Sequence, residues 1–370
     1  MKTRQPLAVL SVLSIGLLPA CGGDDDAASS GDSNCPSELV IQTDWFPELE
    51  HGGTYQLIGP DGTADKTTVS YSGPVQDAYK VPGLETVTIK TVNFDKKNSS
   101  TLLDGDADMA YIGMGDIIAD STAIPMVAVA KTLHKDPQMI MWDPAQHDIS
   151  QPADIAADGA KVRHFPNAAY VDYMLAEGIM TPDQDDPNYN GSDSEFVALN
   201  GDFFQQGFAT NEIYKYENDI AWKDGAPAPV DFYTVAELGY DNYPASITLT
   251  QTRAAELDGC LKQLVPKMQQ AWIDFLNDPE PIMNRMIDIN IEHDGFWGLS
   301  PEINAAGFEL LTSGGFVENS ADGSYCSFED DRVQELFDIL KPLYEGQGTE
   351  IADSVDGLYT NEYCADAPGR

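Results

Sequence analysis

Short apolar runs alternate with segments of helical period over the first two thirds of the chain. Apolar runs at 38–43, 107–112 and 126–133, and a run rich in β-branched residues at 86–92, predict strands, with another at 139–142. Segments 54–59, 99–104 and 116–121 between them predict short helices. A second set follows, with strands at 161–165, 196–199 and 231–234, a strand end at 207–212, and a helix at 168–177. The run 245–251 then predicts a strand returning to the first set. From there the chain turns helical. Residues 257–275 place Leu261, Leu264, Val265, Met268, Trp272 and Phe275 on one face. Helices at 279–289, with Pro281 in the first turn, 300–313 and 330–343 complete the set. Strands alternating with helices imply an α/β fold with mixed sheets and flanking helices. The order implies two lobes, one from 35–140 plus 246–370 and the other from 141–245, joined by two crossing segments near 133–144 and 243–248. That is the layout of a hinged clamp, whose ligand site would lie beyond strand carboxyl ends and between the lobes.

The first residues change this picture only by removing themselves from it. Lys2 and Arg4 precede an uncharged apolar stretch at 7–18, and Leu18-Pro19-Ala20-Cys21 resembles a bacterial lipobox. Residues 1–21 read as a lipoprotein signal peptide, with Cys21 as the lipidated residue and the protein exported to the periplasm or the outer face of the cell membrane. Residues 22–34, with Asp24-Asp25-Asp26, are too polar to bury a core and read as a flexible tether. Of five cysteines, setting Cys21 aside leaves Cys35, Cys260, Cys326 and Cys364, an even number in an exported chain. Three pairings are open; Cys35 with Cys364 and Cys260 with Cys326 is the pairing expected here. The formal charge of -41, from 20 basic and 61 acidic residues, excludes nucleic acid as a partner. The acidic residues are scattered, as solubility in a saline setting requires, and they do not by themselves fix the charge of a buried ligand.

Asp44-Trp45-Phe46-Pro47, followed by His51-Gly52-Gly53 and Tyr55, carries a resemblance. With Leu103-Asp104-Gly105-Asp106-Ala107-Asp108, the loop Gly113-Met114-Gly115-Asp116, Pro125-Met126-Val127-Ala128-Val129, Phe208-Ala209-Thr210-Asn211-Glu212 and Gly239-Tyr240 to Pro244, the chain from about 40 onward resembles the NMT1/THI5-like solute-binding proteins of ABC importers. Thiamine-precursor, riboflavin, alkanesulfonate and nitrate binders are of this type. The resemblance implies a periplasmic-binding-protein-like (type II) clamp, a monomer without cofactor, that hands a small solute to a membrane permease and its ATPase.

Candidate ligand contacts follow from position. Trp45 lies in a loop just past the first strand, where its ring can stack on a planar ligand, whereas Phe46 reads as core. His51-Gly52-Gly53 precedes a helix and offers backbone N–H groups to the cleft or forms a plain glycine turn. Gly113, Met114 and Gly115 open a helix where relatives hold anions; Asp116 reads as its N-cap, taking the donors an anion needs. That favours a neutral or amine-bearing heterocycle of pyrimidine or thiamine-precursor type over nitrate or a sulfonate. Asn211 and Glu212 at a strand end suit the nitrogens of such a ring. Phe165, Asn167 and Tyr170 open the first helix of the second lobe, and Tyr240 and Tyr243 lie near the second crossing.

Other chemistries find little support. Asp186-Pro187-Asn188-Tyr189-Asn190-Gly191 matches half an EF-hand loop, but its twelfth position is Val197, and it reads as an acidic turn. The five histidines show no zinc spacing, and no metal site is expected. No nucleophile elbow or P-loop occurs, and the clustered cysteines of the related thiamine-pyrimidine enzymes are missing, so no enzymatic activity is expected. A small-anion binder, an envelope enzyme on the same scaffold and a receptor-coupled sensor remain as alternatives. Mass spectrometry of protein taken from native membranes tests the anchor: an amino-terminal, diacylated Cys21 is expected, and an unmodified secreted form would remove it.

Overall fold

Apolar runs become strands as the pattern predicts. In the computed structural model, residues 35–370 are described except Asn93, Asn167 and Phe296; the signal segment, Cys21 and the tether lie outside the described residues. The strands are β1 (Glu38–Gln42), β2 (Thr63–Asp65), β3 (Ser70–Pro74), β4 (Thr86–Lys90), β5 (Met109–Ile112), β6 (Met126–Lys131), β7 (Gln138–Trp142), β8 (Val162–Arg163), β9 (Asp185–Asp186), β10 (Phe204–Phe208), β11 (Asp231–Thr234) and β12 (Ser246–Thr250). They form a 7-stranded sheet, ordered β2-β3-β4-β1-β5-β12-β6, and a 5-stranded sheet, ordered β11-β7-β10-β8-β9. β1 runs parallel to β4 and β5, while β12 runs antiparallel to β5 and β6. Every residue of β5 and β6 is buried, which explains their apolar sequences, broken only by Lys131 at the end of β6. The chain passes between sheets at 132–137 and returns at 235–245.

The long helix Asp258–Asn277 buries the face predicted for it, with Leu261, Leu264, Val265, Met268, Trp272 and Phe275 all in the core. It packs on the short helix Gly52–Gln56. A Cβ on Gly52 would fall 2.2 Å from the Phe275 ring, and one on Gly53 2.1 Å from Trp272. These glycines are therefore required by helix-to-helix approach, which accounts for them without any delivery of N–H groups to the cleft.

Several expectations are corrected. Residues 196–199 are not a strand: 196–198 belong to the helix Ser194–Ala198 and Leu199 caps it, with Phe196 anchored against Phe203, Tyr216 and Trp222. So short a segment with a single buried anchor fits either period. The strand expected at 207–212 is β10, which ends at Phe208; Asn211 precedes a helical turn that starts at Glu212. The hairpin of β2 and β3 was not predicted, because it is built from Thr, Ser, Gly and Asp at a sheet edge. The disulfides join Cys35 to Cys260 and Cys326 to Cys364, not Cys35 to Cys364 and Cys260 to Cys326. Cys35 is held by a backbone bond to Pro82 beside the first turn of Asp258–Asn277. Cys364 sits in a turn packed beside β6, where Lys131 binds the carbonyl of Cys326.

One side chain ties both crossings together. Arg332, on the helix Asp330–Gly346, donates to the carbonyls of His134 at 2.6 Å, Asn242 at 2.8 Å and Asp241 at 3.3 Å. Its guanidinium lies 4.0 Å from the centre of the Tyr243 ring. The same helix packs on Met114–Ala119 and Ala169–Ala176, and so braces elements on both sides of the crossings.

Non-reducing peptide mapping is expected to recover the Cys35–Cys260 and Cys326–Cys364 peptides. The Cys35–Cys260 bridge spans a sequence separation of 225 residues. Cys260→Ser should therefore lower the unfolding free energy by about 2–5 kcal/mol in urea titration, and an unchanged midpoint would refute that role.

Candidate functional site

A cavity of about 490 Å³ opens between the two sheets. Aromatic residues from both sides wall it. Trp45 follows β1; Phe165 and Tyr170 follow β8; Tyr189, Tyr240 and Trp297 arrive from later segments. The Trp45 ring makes edge contacts with Phe165, Trp297 and Phe94, at centroid distances of 5.7, 5.3 and 5.5 Å. Rings from opposite sides of the cleft thus already touch.

Carboxyl groups define the polar character of the cavity. Glu48 ends the loop after β1, Glu50 lies in the 3-10 turn Leu49–His51 that follows, Asp136 in the first crossing and Glu212 beyond β10; all four are buried and line the cavity. Among the described residues, no lysine or arginine hydrogen-bonds to any of them. Glu50 accepts from the Thr210 hydroxyl, which reaches it from the β10 side. Glu212 accepts from the Phe208 N–H at 2.9 Å and lies 3.5 Å from the Tyr189 hydroxyl. Asp136 accepts from the Gln138 N–H at 2.8 Å. Loss of hydration weakens all four acids and raises their pKa: Asp136 and Glu212 rise to about 7, Glu50 rises, and Glu48, facing Glu50, Asp44 and Glu212 as well, rises well above the usual range. Asp116 rises to about 6, chiefly through desolvation. Unlike the buried four, its side chain is open to solvent on the cavity side, where water can hydrate the carboxylate. The lysines at the rim are engaged elsewhere: Lys96 with Asp104 and Asp106, and Lys97 3.8 Å from Asp120.

Of the candidates read from the sequence, Asp44, Trp45, Gly113, Asp116, Phe165, Tyr170, Glu212 and Tyr240 line the cavity. Phe46, Met114, Gly115, Asn211 and Tyr243 are buried outside that wall, and Asn167 lies outside the described residues. His51 stands behind the wall, bonded to Asp44. The N-cap of Met114–Ala119 is Gly113, and Asp116 is not the cap. The second crossing takes that role instead: the N–H of Met114 donates to Tyr243 O at 2.9 Å, and that of Gly115 to Asn242 Oδ1 at 3.1 Å. The donors that would hold an anion at this terminus are thus used by the protein itself. Gly115 must be glycine there, since a Cβ would fall 1.9 Å from the Tyr240 hydroxyl. The EF-hand-like turn is closed by Arg163, which binds Asp186 at 2.7 and 2.9 Å.

Sequence reasoning missed Glu48, Glu50, Asp136, Gln206, Tyr189 and Trp297. The acids Glu48 and Glu50 could have been flagged by their place between Pro47 and His51, in a loop directly past a strand end. Nothing local marks Trp297. Histidine spacing also gave no hint that Asp44, Glu48 and His51 bring three donor atoms within 4.8 Å of one another.

The raised pKa values make a stability prediction. Asp136 holds its proton to about pH 7 when folded and loses it near pH 4 when unfolded. The protonated, stabilising form is complete below about pH 4 and is lost as pH rises through about 7. The ligand-free thermal midpoint should therefore fall between pH 5 and 8, and Asp136→Asn should flatten that fall; equal slopes in both proteins would contradict the assignment.

Comparison with known proteins places this geometry. No curated protein matches the sequence. The aliphatic sulphonate-binding protein SsuA from Escherichia coli shares the fold with a TM-score of 0.58 at 12% identity, covering 88% of this chain and 93% of its own. The alkanesulfonate-binding protein SsuA from Xanthomonas axonopodis pv. citri, bound to MOPS, gives 0.55 at 12%, covering 88% and 99%. The periplasmic nitrate-binding protein NrtA from Synechocystis PCC 6803 gives 0.53 at 14%, covering 89% and 87%. The two-sheet arrangement is thus the type II periplasmic-binding fold. Residues 68–282 match the family described as NMT1/THI5 like, and the chain belongs to that family.

Proposed function

We propose that this protein is the solute-capturing component of an ABC importer, and that its solute is a small cationic heterocycle of the aminopyrimidine, thiamine-precursor kind. The observation that carries the reading is the set of buried carboxyls Glu48, Glu50, Asp136 and Glu212 around one cavity with no lysine or arginine bonded to them. Ionised carboxylates out of water need a counter-charge, and a cationic ligand supplies it. The sulphonate and nitrate binders share the fold, but here the N–H groups at the Met114–Ala119 terminus are occupied by Tyr243 and Asn242, which argues against an anion.

In this reading Trp45 and Phe165 receive the faces of the ring. Glu212 and Asp136 accept from its protonated edge, the role first expected of Asn211 with Glu212. The lobes, 35–140 with 246–370 and 141–245, hinge at the two crossings and close on the solute. Glu50 and Thr210 bond across the cleft and support that closed form. Export, a lipid anchor on Cys21 and delivery by a monomer to a permease with its ATPase complete the role.

Calorimetry at pH 7.5 across aminopyrimidines, thiamine, riboflavin, an alkanesulfonate and nitrate tests it. The amine-bearing pyrimidines should bind, and Glu212→Gln should weaken them roughly 30-fold or more. Tight binding of nitrate or the sulfonate, with none of the cations bound, would overturn the reading.

A further inference from the structure

We infer that the cleft wall holds a divalent metal ion, bound by Asp44, Glu48 and His51. This inference does not depend on the identity of the solute.

The His51 ring is fully buried and set edge-on to Tyr111 at 4.9 Å between centroids. Its Nδ1 lies 3.2 Å from the carbonyl oxygen of Phe46, which only accepts, so Nδ1 carries a proton. In the neutral ring the other nitrogen then presents a lone pair. That nitrogen, Nε2, faces Asp44 Oδ1 at 2.7 Å and Glu48 Oε1 at 3.9 Å. Two acceptors in such proximity need something positive between them. A second proton on the ring would satisfy Asp44 alone. It would leave Glu48, 6% exposed, with no hydrogen bond to its carboxylate among the described residues. A divalent ion satisfies all three donors at once.

The geometry suits that ion. Tetrahedral zinc bonds of about 2.0–2.2 Å to nitrogen and oxygen set neighbouring ligand atoms roughly 3.3–3.6 Å apart, and 2.7 and 3.9 Å lie on either side of that range. Anchoring of Nδ1–H by a backbone carbonyl is how metal-bound histidines are commonly oriented. One imidazole and two carboxylates form a mixed donor set that fits zinc or manganese. Asp44 and Glu48 line the cavity while His51 stands behind them, so the positions left open on the ion would face the bound solute. The ion's two positive charges balance only Asp44 and Glu48. Glu50, Asp136 and Glu212 keep the cleft acidic.

Zinc chloride and manganese chloride, titrated calorimetrically into the purified, chelator-treated chain without any solute, test the site. One saturable equivalent is expected. Glu48→Gln and Asp44→Asn should each weaken it by about tenfold or more, with an unchanged circular dichroism spectrum. In histidine-labelled protein the Nε2 signal of His51 should shift on zinc addition. Weak, unsaturating uptake by the acidic surface, equal in wild type and both variants, would overturn the inference, as would an unmoved His51 signal. Should Glu48→Gln fail to fold, Asp44→Asn, whose side chain is 40% exposed, decides the matter. Failure of the cationic-solute reading would leave these metal results unchanged, and the reverse holds too.

Discussion

Carboxyl groups kept out of water around a shared cavity are the constraint on which the rest of this molecule turns. Glu48 and Glu50 come from the 7-stranded side and Glu212 from the 5-stranded side. Bringing the sides together therefore brings like charges together as it strips their hydration. A raised pKa is one relief, since a protonated carboxyl can be buried at lower cost. A bound cation is the other. In the proposed clamp this couples capture to closure: the closed arrangement is favoured only when positive charge enters the cleft, so the ligand's differential affinity supplies the bias.

Such a site needs a rigid frame, and the frame is built close to it. The Cys35–Cys260 bridge pins the start of β1 to the helix Asp258–Asn277. Trp272 and Phe275 of that helix lie over Gly52 and Gly53, immediately after the loop that carries Asp44, Trp45, Glu48, Glu50 and His51. On the other side, Arg332 gathers the carbonyls of both crossings in one guanidinium fork. Asp136 and Asn242 lie in those crossings, so cavity-lining groups and the two crossings share one network. A lysine at 332 could not reproduce the planar, several-way donation.

Much of the fold was legible in the sequence because burial leaves a composition. β1, β4, β6 and β12 announce themselves through apolar and β-branched residues, β5 through a short apolar run, and the helix at 258–277 through its period. The polar β2–β3 hairpin and the five-residue helix around Phe196 carry no such signature. The disulfide pairing depended on which loops meet in space, which spacing does not encode. At the site, Trp45 and Glu212 were legible from their loops beyond strands, although Glu212 proved to start a helical turn. Glu48, Glu50 and Asp136 were hidden by their own abundance. In a chain with 61 acidic residues a carboxylate attracts no notice until its burial is known. The role first given to Asp116 belongs to Asn242, well over a hundred residues away in sequence, a distance no local capping rule can span.

The most direct test of the central claim is the electron density in the cleft of protein purified with its natural solute still bound. The account predicts a planar group against Trp45 and Phe165, with nitrogen atoms within hydrogen-bond reach of Glu212 and Asp136. An oxyanion in contact with backbone N–H groups of Gly113 to Asp116, with Glu212 and Asp136 turned away from it, would contradict the account.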